Sequence, residues 1–178
     1  MDNKKEALDF AALDLASLIR DVVALLHSDA ILQNVRISFE LDDHLPLGWG
    51  DRVQLQQVVL NLLLNAFDAM KECPASEREV RLQAEPVGAK FIAVAVRDRG
   101  TGLSGDKLDK IFQPFYTSKR DGLGMGLSIC RSIIEAHGGR LWAENNAHRG
   151  ATFHFTLPIS GSEGHEQRAM TRINESPG

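Results

Sequence analysis

The segment from Arg52 to Met70 constrains this chain more than any other. It carries Leu55, Val58, Val59, Leu60, Leu62, Leu63, Leu64, Ala66 and Phe67 without a glycine or proline. The pattern predicts one long helix from Arg52 to about Lys71, with Asp51 as N-cap and a stop before Cys73-Pro74. Gln57, Asn61, Asn65 and Asp68 interrupt the apolar run at steps of four, four and three, which places them on one helix face. Solvated helix faces usually carry Lys, Glu, Arg or Gln. Asn is a poor helix former, because its short amide competes for the backbone. Two Asn one turn apart therefore weaken the helix with no local gain. Their amide oxygens are hard donors of the kind Mg²⁺ shares with substrate phosphates. A plain solvated face is the competing reading.

The remainder of the 178 residues predicts one domain. Apolar residues make up 43% and charged residues 25%, which excludes a disordered, collagen-like or disulfide-scaffold chain. A net charge of −4 and a pI near 5.9 give no nucleic-acid footprint. Cys73 and Cys130 are far apart, lack metal-ligand spacing and read as reduced cytosolic thiols. No apolar run reaches membrane-spanning length, so no direct membrane contact is expected of this segment. Residues 1–12 read as an arm from an upstream element. A helix is expected from Leu13 to about Leu32 with Asp14 as cap, then strands at Arg36–Leu41, Glu79–Glu85 and Phe91–Arg97. A short helix near Asp106–Ile111, a helix over Leu127–His137, and strands at Arg140–Glu144 and Thr152–Leu157 follow. Residues 13–158 form the domain, and 159–178 a polar tail or linker. The order of elements implies an α/β (α+β) sandwich, helices on one face of a mixed sheet.

Two glycine clusters flank the short helix. Gly100-Thr101-Gly102-Leu103-Ser104-Gly105 matches a dinucleotide fingerprint formally, but no crossover helix and second parallel strand follow. No P-loop is present. Gly122-Leu123-Gly124-Met125-Gly126 precedes a firm helix, whose N-terminal N–H groups and dipole favour phosphate. Lys119 and Arg120 stand just upstream with charge to offer an anion.

Five motifs now stand in order: Asn61-x-x-x-Asn65-Ala, Asp98-Arg-Gly-Thr-Gly102, Phe112-Gln-Pro-Phe115, Gly122-Leu-Gly-Met-Gly126-Leu-Ser and Gly150-Ala-Thr152-Phe153. Together they resemble the catalytic ATP-binding domain of two-component sensor histidine kinases, over roughly Leu13 to Pro158. The wider superfamily takes in gyrase, mismatch-repair and ninety-kilodalton heat-shock ATPases. The resemblance implies the Bergerat ATP-binding fold, with ATP and Mg²⁺ under a mobile lid. Asn65 would be the Mg²⁺ ligand and Asn61 would support the phosphates; with Lys119 they form the expected catalytic set. Asp98 would accept from the adenine amino group, Gly100 and Gly102 would let backbone approach the purine, and Thr152 would lie at the adenine edge beside Asp98. Gly122, Leu123, Gly124, Met125, Gly126 and Leu127 would border the phosphates, with Phe112 and Phe115 anchoring the lid. Asp68 departs from the pattern, since many such kinases have a basic residue there.

Hydrolytic members of the superfamily carry a Glu one turn before the Mg²⁺ Asn, to activate water. Here that position is Asn61, which has no useful basicity, so transfer to a group elsewhere is expected over hydrolysis. The histidine that accepts phosphate in these kinases lies on an upstream dimerisation helix. Of the six histidines here only His165-Glu166-Gln167-Arg168 has a similar look, and its place in the polar tail marks it as coincidence. The implied partners are the dimerisation/phosphoacceptor domain of the same kinase and a downstream response regulator, in the cytoplasm. The rival is a weak ATPase or nucleotide-gated module of the same superfamily.

Overall fold

A computed structural model describes residues 9–114 and 126–161, the Asp109 side chain excepted. The long helix, α3 (Arg52–Ala69), is present as the sequence predicts, and the Asp51 carboxylate accepts from Gln54 N–H at 3.0 Å to cap it. It buries Leu55, Val58, Val59, Leu62, Leu63, Ala66 and Phe67. At about 1.5–3 kcal/mol for each large apolar side chain taken out of water, this face is the largest hydrophobic contribution of any helix among the described residues. Against it pack α1 (Leu15–Leu25), through Leu15, Leu18, Ile19 and Val22, and α5 (Gly126–Ala136), through Cys130, Ile133 and Ile134. Asp14 caps α1 by accepting from Ser17 N–H at 3.1 Å.

These helices cover one face of a five-stranded sheet. Its strands are β2 (Arg36–Leu41), β4 (Glu79–Val87), β5 (Phe91–Arg97), β6 (Leu141–Asn145) and β7 (Ala151–Pro158), in the order β2-β4-β5-β7-β6. The β2–β4 pair is parallel and the other pairs are antiparallel, so the sheet is mixed. The two-residue period of the strands sends Leu82, Ile92, Val94, Val96, Phe153, Phe155 and Leu157 into the helical layer. The opposite face carries Arg81, Arg97, Glu144 and a Trp142–His154 stack with ring centroids 5.0 Å apart.

The structure differs from the sequence reading in three places. Phe10–Leu13 is a strand, β1, paired antiparallel with β3 (Gly48–Asp51), so the expected boundary at residue 13 falls inside a sheet. Ile159 bridges to Gly48 and extends the domain past Pro158. The helix expected over 13–32 divides into α1 and α2 (His27–Leu32) at Leu26, which leaves Leu25, Ile31 and Leu32 exposed. Residues 1–8 of the expected arm and 162–178 of the tail, His165 included, lie outside the described residues. The short helix α4 (Gly105–Lys110) follows the first glycine cluster. Among the described residues no helix is long and apolar enough to cross a membrane.

Candidate functional site

Asn61 and Asn65 sit one turn apart on a half-buried stretch of α3. The Asn61 amide donates from Nδ2 to the Cys130 Sγ on α5 at 3.6 Å. Cys130 is fully buried, and its thiol lies 4.0 Å from the Val58 carbonyl. Burial pushes that thiol up to about 11, against the opposing hydrogen bond from Asn61. An amide on α3 and a protonated thiol on α5 thus stand against each other, with no carboxylate between them. Asp68, where a basic residue is usual, makes an ion pair at 2.9 Å with Lys71, one turn further along.

Asp98 follows the last residue of β5 and is 1% exposed. Its Oδ1 accepts from Gly100 N–H at 2.8 Å and from Ala151 N–H at 3.2 Å. Burial raises its pKa, and the two backbone donors work against that rise. Both of these donors fall on Oδ1. The glycines around it are fixed by contact. A Cβ on Gly100 would lie 2.4 Å from the Ala69 carbonyl, so this glycine lets the loop close on the end of α3. Gly150 has φ +84° and its Cβ would lie 2.2 Å from the Asp98 carbonyl, so no other residue fits. The loop then continues through Gly102 to Leu103, whose N–H and carbonyl both bond the Asn145 side chain, at 2.7 and 2.5 Å.

Thr152 does not stand beside the Asp98 carboxylate as expected. The β5–β7 register sets it opposite Arg97, and successive strand residues face opposite sides. Thr152 therefore shares the outer face with Arg97, whereas Ala151 meets Asp98. The Thr152 hydroxyl donates to Asn146 Oδ1 at 2.5 Å instead. Asn145 and Asn146 escaped the sequence reading because they belong to none of the motifs; the Asn-Asn pair five residues before Gly150-Ala-Thr was the one available sign. Phe112 is half-buried, edge-on to Phe153 at 6.1 Å and under the Arg131 guanidinium at 5.7 Å. Gly126 is the first residue of α5, and Leu127 packs on the core. Lys119, Gly122, Leu123, Gly124, Met125 and Phe115 lie outside the described residues. Among the described residues no three His, Cys, Asp or Glu side chains cluster as metal ligands. Asn61 and Asn65 carry amide oxygens on this face of α3, a donor type that would suit a Mg²⁺ taking one protein ligand beside phosphate and water.

The sandwich, the helix with its Asn pair and the buried carboxylate at the end of β5 define the class: an ATP-binding catalytic domain of histidine kinase type. The chain belongs to the histidine kinase-, DNA gyrase B- and HSP90-like ATPase family, whose model matches residues 50–161. The sensor protein FixL of Bradyrhizobium diazoefficiens is 49% identical over 146 residues, which are 82% of this chain and 28% of FixL. The catalytic domain of the histidine kinase ThkA has a TM-score of 0.77 at 35% identity, covering 85% of this chain and 97% of that one. ThkA in complex with the response regulator protein TrrA gives 0.73 at 33% identity over 86% and 42% of the two chains. Full-length ShkA in complex with AMPPNP gives 0.74 at 27% identity over 87% and 32%. The chain spans less than a third of the length of FixL.

Proposed function

We propose that this domain binds Mg·ATP and transfers the γ-phosphoryl group to a histidine on a separate dimerisation/phosphoacceptor domain, from which a response regulator is charged. The observation that carries the reading is the pairing of Asn61 with Cys130. Both are neutral at pH 7, so the place of the hydrolytic base holds no group able to take a proton from water. The Asp98 carboxylate, fixed by two N–H donors, would accept from the adenine amino group and orient the base. Asn65 would hold Mg²⁺ with Asn61 at its side, and the ion would supply charge neutralisation on the phosphate oxygens. Lys119 and the run from Gly122 to Leu127 would close on the phosphates.

In the transfer, an imidazole nitrogen of the partner histidine bonds to the γ-phosphorus as the bridging P–O bond breaks. ADP leaves with that electron pair, and the imidazole proton passes to solvent. This domain's own residues would bind and orient the nucleotide, and Asn61 with Cys130 would offer water no general base. The complexes of ThkA with a response regulator and of ShkA with AMPPNP support the assignment of partner and nucleotide by similarity.

The test is γ-labelled ATP supplied to this domain alone and together with the separately produced phosphoacceptor domain of its kinase. Label on a histidine of the acceptor only when both are present is the expected result. Release of label as inorganic phosphate at the same rate in both mixtures would establish the ATPase reading instead.

A further inference from the structure

We infer that Asn146, held by Thr152, is a positioning residue that keeps the Asp98 carboxylate aimed and so sets base selectivity, an inference that rests on the nucleotide reading above. The strand ladder leads to it. Two residues facing each other in a hydrogen-bonded antiparallel pair normally exchange both N–H···O bonds. At Asp98 and Ala151 only half of the exchange is made: Asp98 N–H donates to the Ala151 carbonyl at 3.0 Å. The Ala151 N–H is diverted to the Asp98 side chain, to Oδ1 at 3.2 Å. The diversion strips the Asp98 carbonyl of its ladder donor, and Asn146 Nδ2 takes that place at 2.9 Å.

The Asn146 amide has one orientation. Its Nδ2 faces two carbonyl oxygens, of Asp98 and of Arg149 at 3.0 Å, and neither has a proton to give. Oδ1 must then face Thr152, and the Thr152 hydroxyl must be the donor at 2.5 Å. The Asn146 N–H closes the turn on the Gly150 carbonyl at 2.9 Å. Thr152 thus acts on Asp98 through Asn146, from the opposite face of the sheet. Without the Asn146 donor, the Asp98 carbonyl competes for Ala151 N–H. The carboxylate then keeps only the Gly100 donor and is free to turn.

The experiment measures the affinity of ADP against IDP, which carries a carbonyl oxygen where adenine has its amino group. Wild-type protein should prefer ADP. Asn146→Leu and Thr152→Val should each lower the ADP:IDP ratio roughly five- to tenfold, the worth of about one hydrogen bond. Thr152→Ser, which keeps the hydroxyl, should restore the wild-type ratio. In an Asp98→Asn background, Asn146→Leu should leave the ratio unchanged, because both act through one carboxylate. A purely structural role would lower the melting temperature and leave the ratio alone, and that result overturns the inference. So does an equal loss of ratio in the Asp98→Asn background. Should Asn146→Leu fail to fold, the Thr152→Val and Thr152→Ser pair carries the same test with Asn146 in place. Wild-type protein that binds neither nucleotide overturns the nucleotide reading itself, and wild-type protein that binds both equally overturns the base-selecting role of Asp98 and with it this inference. A wild-type preference that survives in every variant overturns only the role of Asn146.

Discussion

His137 is a buried neutral histidine, and the consequences of charging or deleting it follow from its partners. It is 2% exposed, at the C-terminal end of α5. Its Nε2 accepts from Asp51 N–H at 3.1 Å, so Nδ1 carries the proton and donates to the Ile133 carbonyl at 2.7 Å. The ring also stacks on Phe10 of β1, centroids 4.5 Å apart. Burial lowers its pKa from the ordinary 6.5, more than the Ile133 hydrogen bond and the Asp51 charge raise it. The folded value lies below the unfolded one. The stability His137 confers is therefore fully present above pH 6.5 and is lost as pH falls through the folded value. Asp51 belongs to a lower window. Burial pushes its carboxyl up, but donors from Gln54, Asp9 and Val53 and the nearby His137 outweigh burial and hold it below 3.8. Its contribution is lost only as pH falls below 3.8.

His137→Ala leaves Asp51 N–H orphaned, at about 1–3 kcal/mol. Ile133 O keeps a donor, the backbone N–H of residue 137, at 3.1 Å. The emptied ring space adds about 1–2 kcal/mol. The expected total is about 3 kcal/mol, or roughly 6–12 °C in melting temperature for a domain of this size. Guanidinium unfolding of wild type and His137→Ala at pH 7.5 and pH 5 is the assay. The gap between the two proteins should narrow on acidification, since only wild type has this histidine to protonate. A gap independent of pH would falsify the assignment of His137 as neutral and buried.

Further outcomes follow from the same contacts. Gly100→Ala places a Cβ 2.4 Å from the Ala69 carbonyl and should destabilise by about 1–3 kcal/mol, read as a lower melting temperature. Gly126→Ala meets nothing within 4 Å and should leave stability unchanged or raise it by up to ~1 kcal/mol; a large loss in thermal unfolding would show a packing role. Asp98→Asn should reduce ADP affinity with the melt intact, checked by titration calorimetry and thermal unfolding together. Cys130, buried and with its pKa raised to about 11, should resist alkylation at pH 8 in the folded protein and react on unfolding, as counted by mass spectrometry.

The parts of the fold that were legible in the chain are those written locally. The 3.6-residue period of α3, its Asp51 cap and the alternation of β5 are all local, and they appear where expected. β1 and β3 were not legible. Phe-Ala-Ala-Leu has no alternation, Gly-Trp-Gly-Asp reads as a turn, and their pairing joins segments some 35–40 residues apart in register. The break at Leu26 was hidden because apolar residues continue through it, with Leu25, Ile31 and Leu32 exposed rather than buried. In the site, Asn61, Asp98 and the glycines were marked by motif. The face on which Thr152 lies depends on the β5–β7 register, which no local pattern specifies, and a one-residue difference reverses it. Asn146 takes its meaning only from the unmade half of the Asp98–Ala151 exchange, which exists only in the folded chain.

On the proposed function, Asn65 on α3 faces nucleotide and Mg²⁺ rather than serving the fold. ATP titration and thermal unfolding of Asn65→Ala, each with Mg²⁺ and with a chelator, address it together. Truncating the half-buried Asn65 amide should cost about 1 kcal/mol, offset by about 0.5–0.7 kcal/mol from alanine's better helix propensity, so the melt should barely move. Affinity for ATP should fall to the wild-type level measured in chelator and lose its Mg²⁺ dependence. Unchanged Mg·ATP affinity, or a melt that collapses in step with the affinity, would contradict that role of Asn65 and leave the stripe as structure.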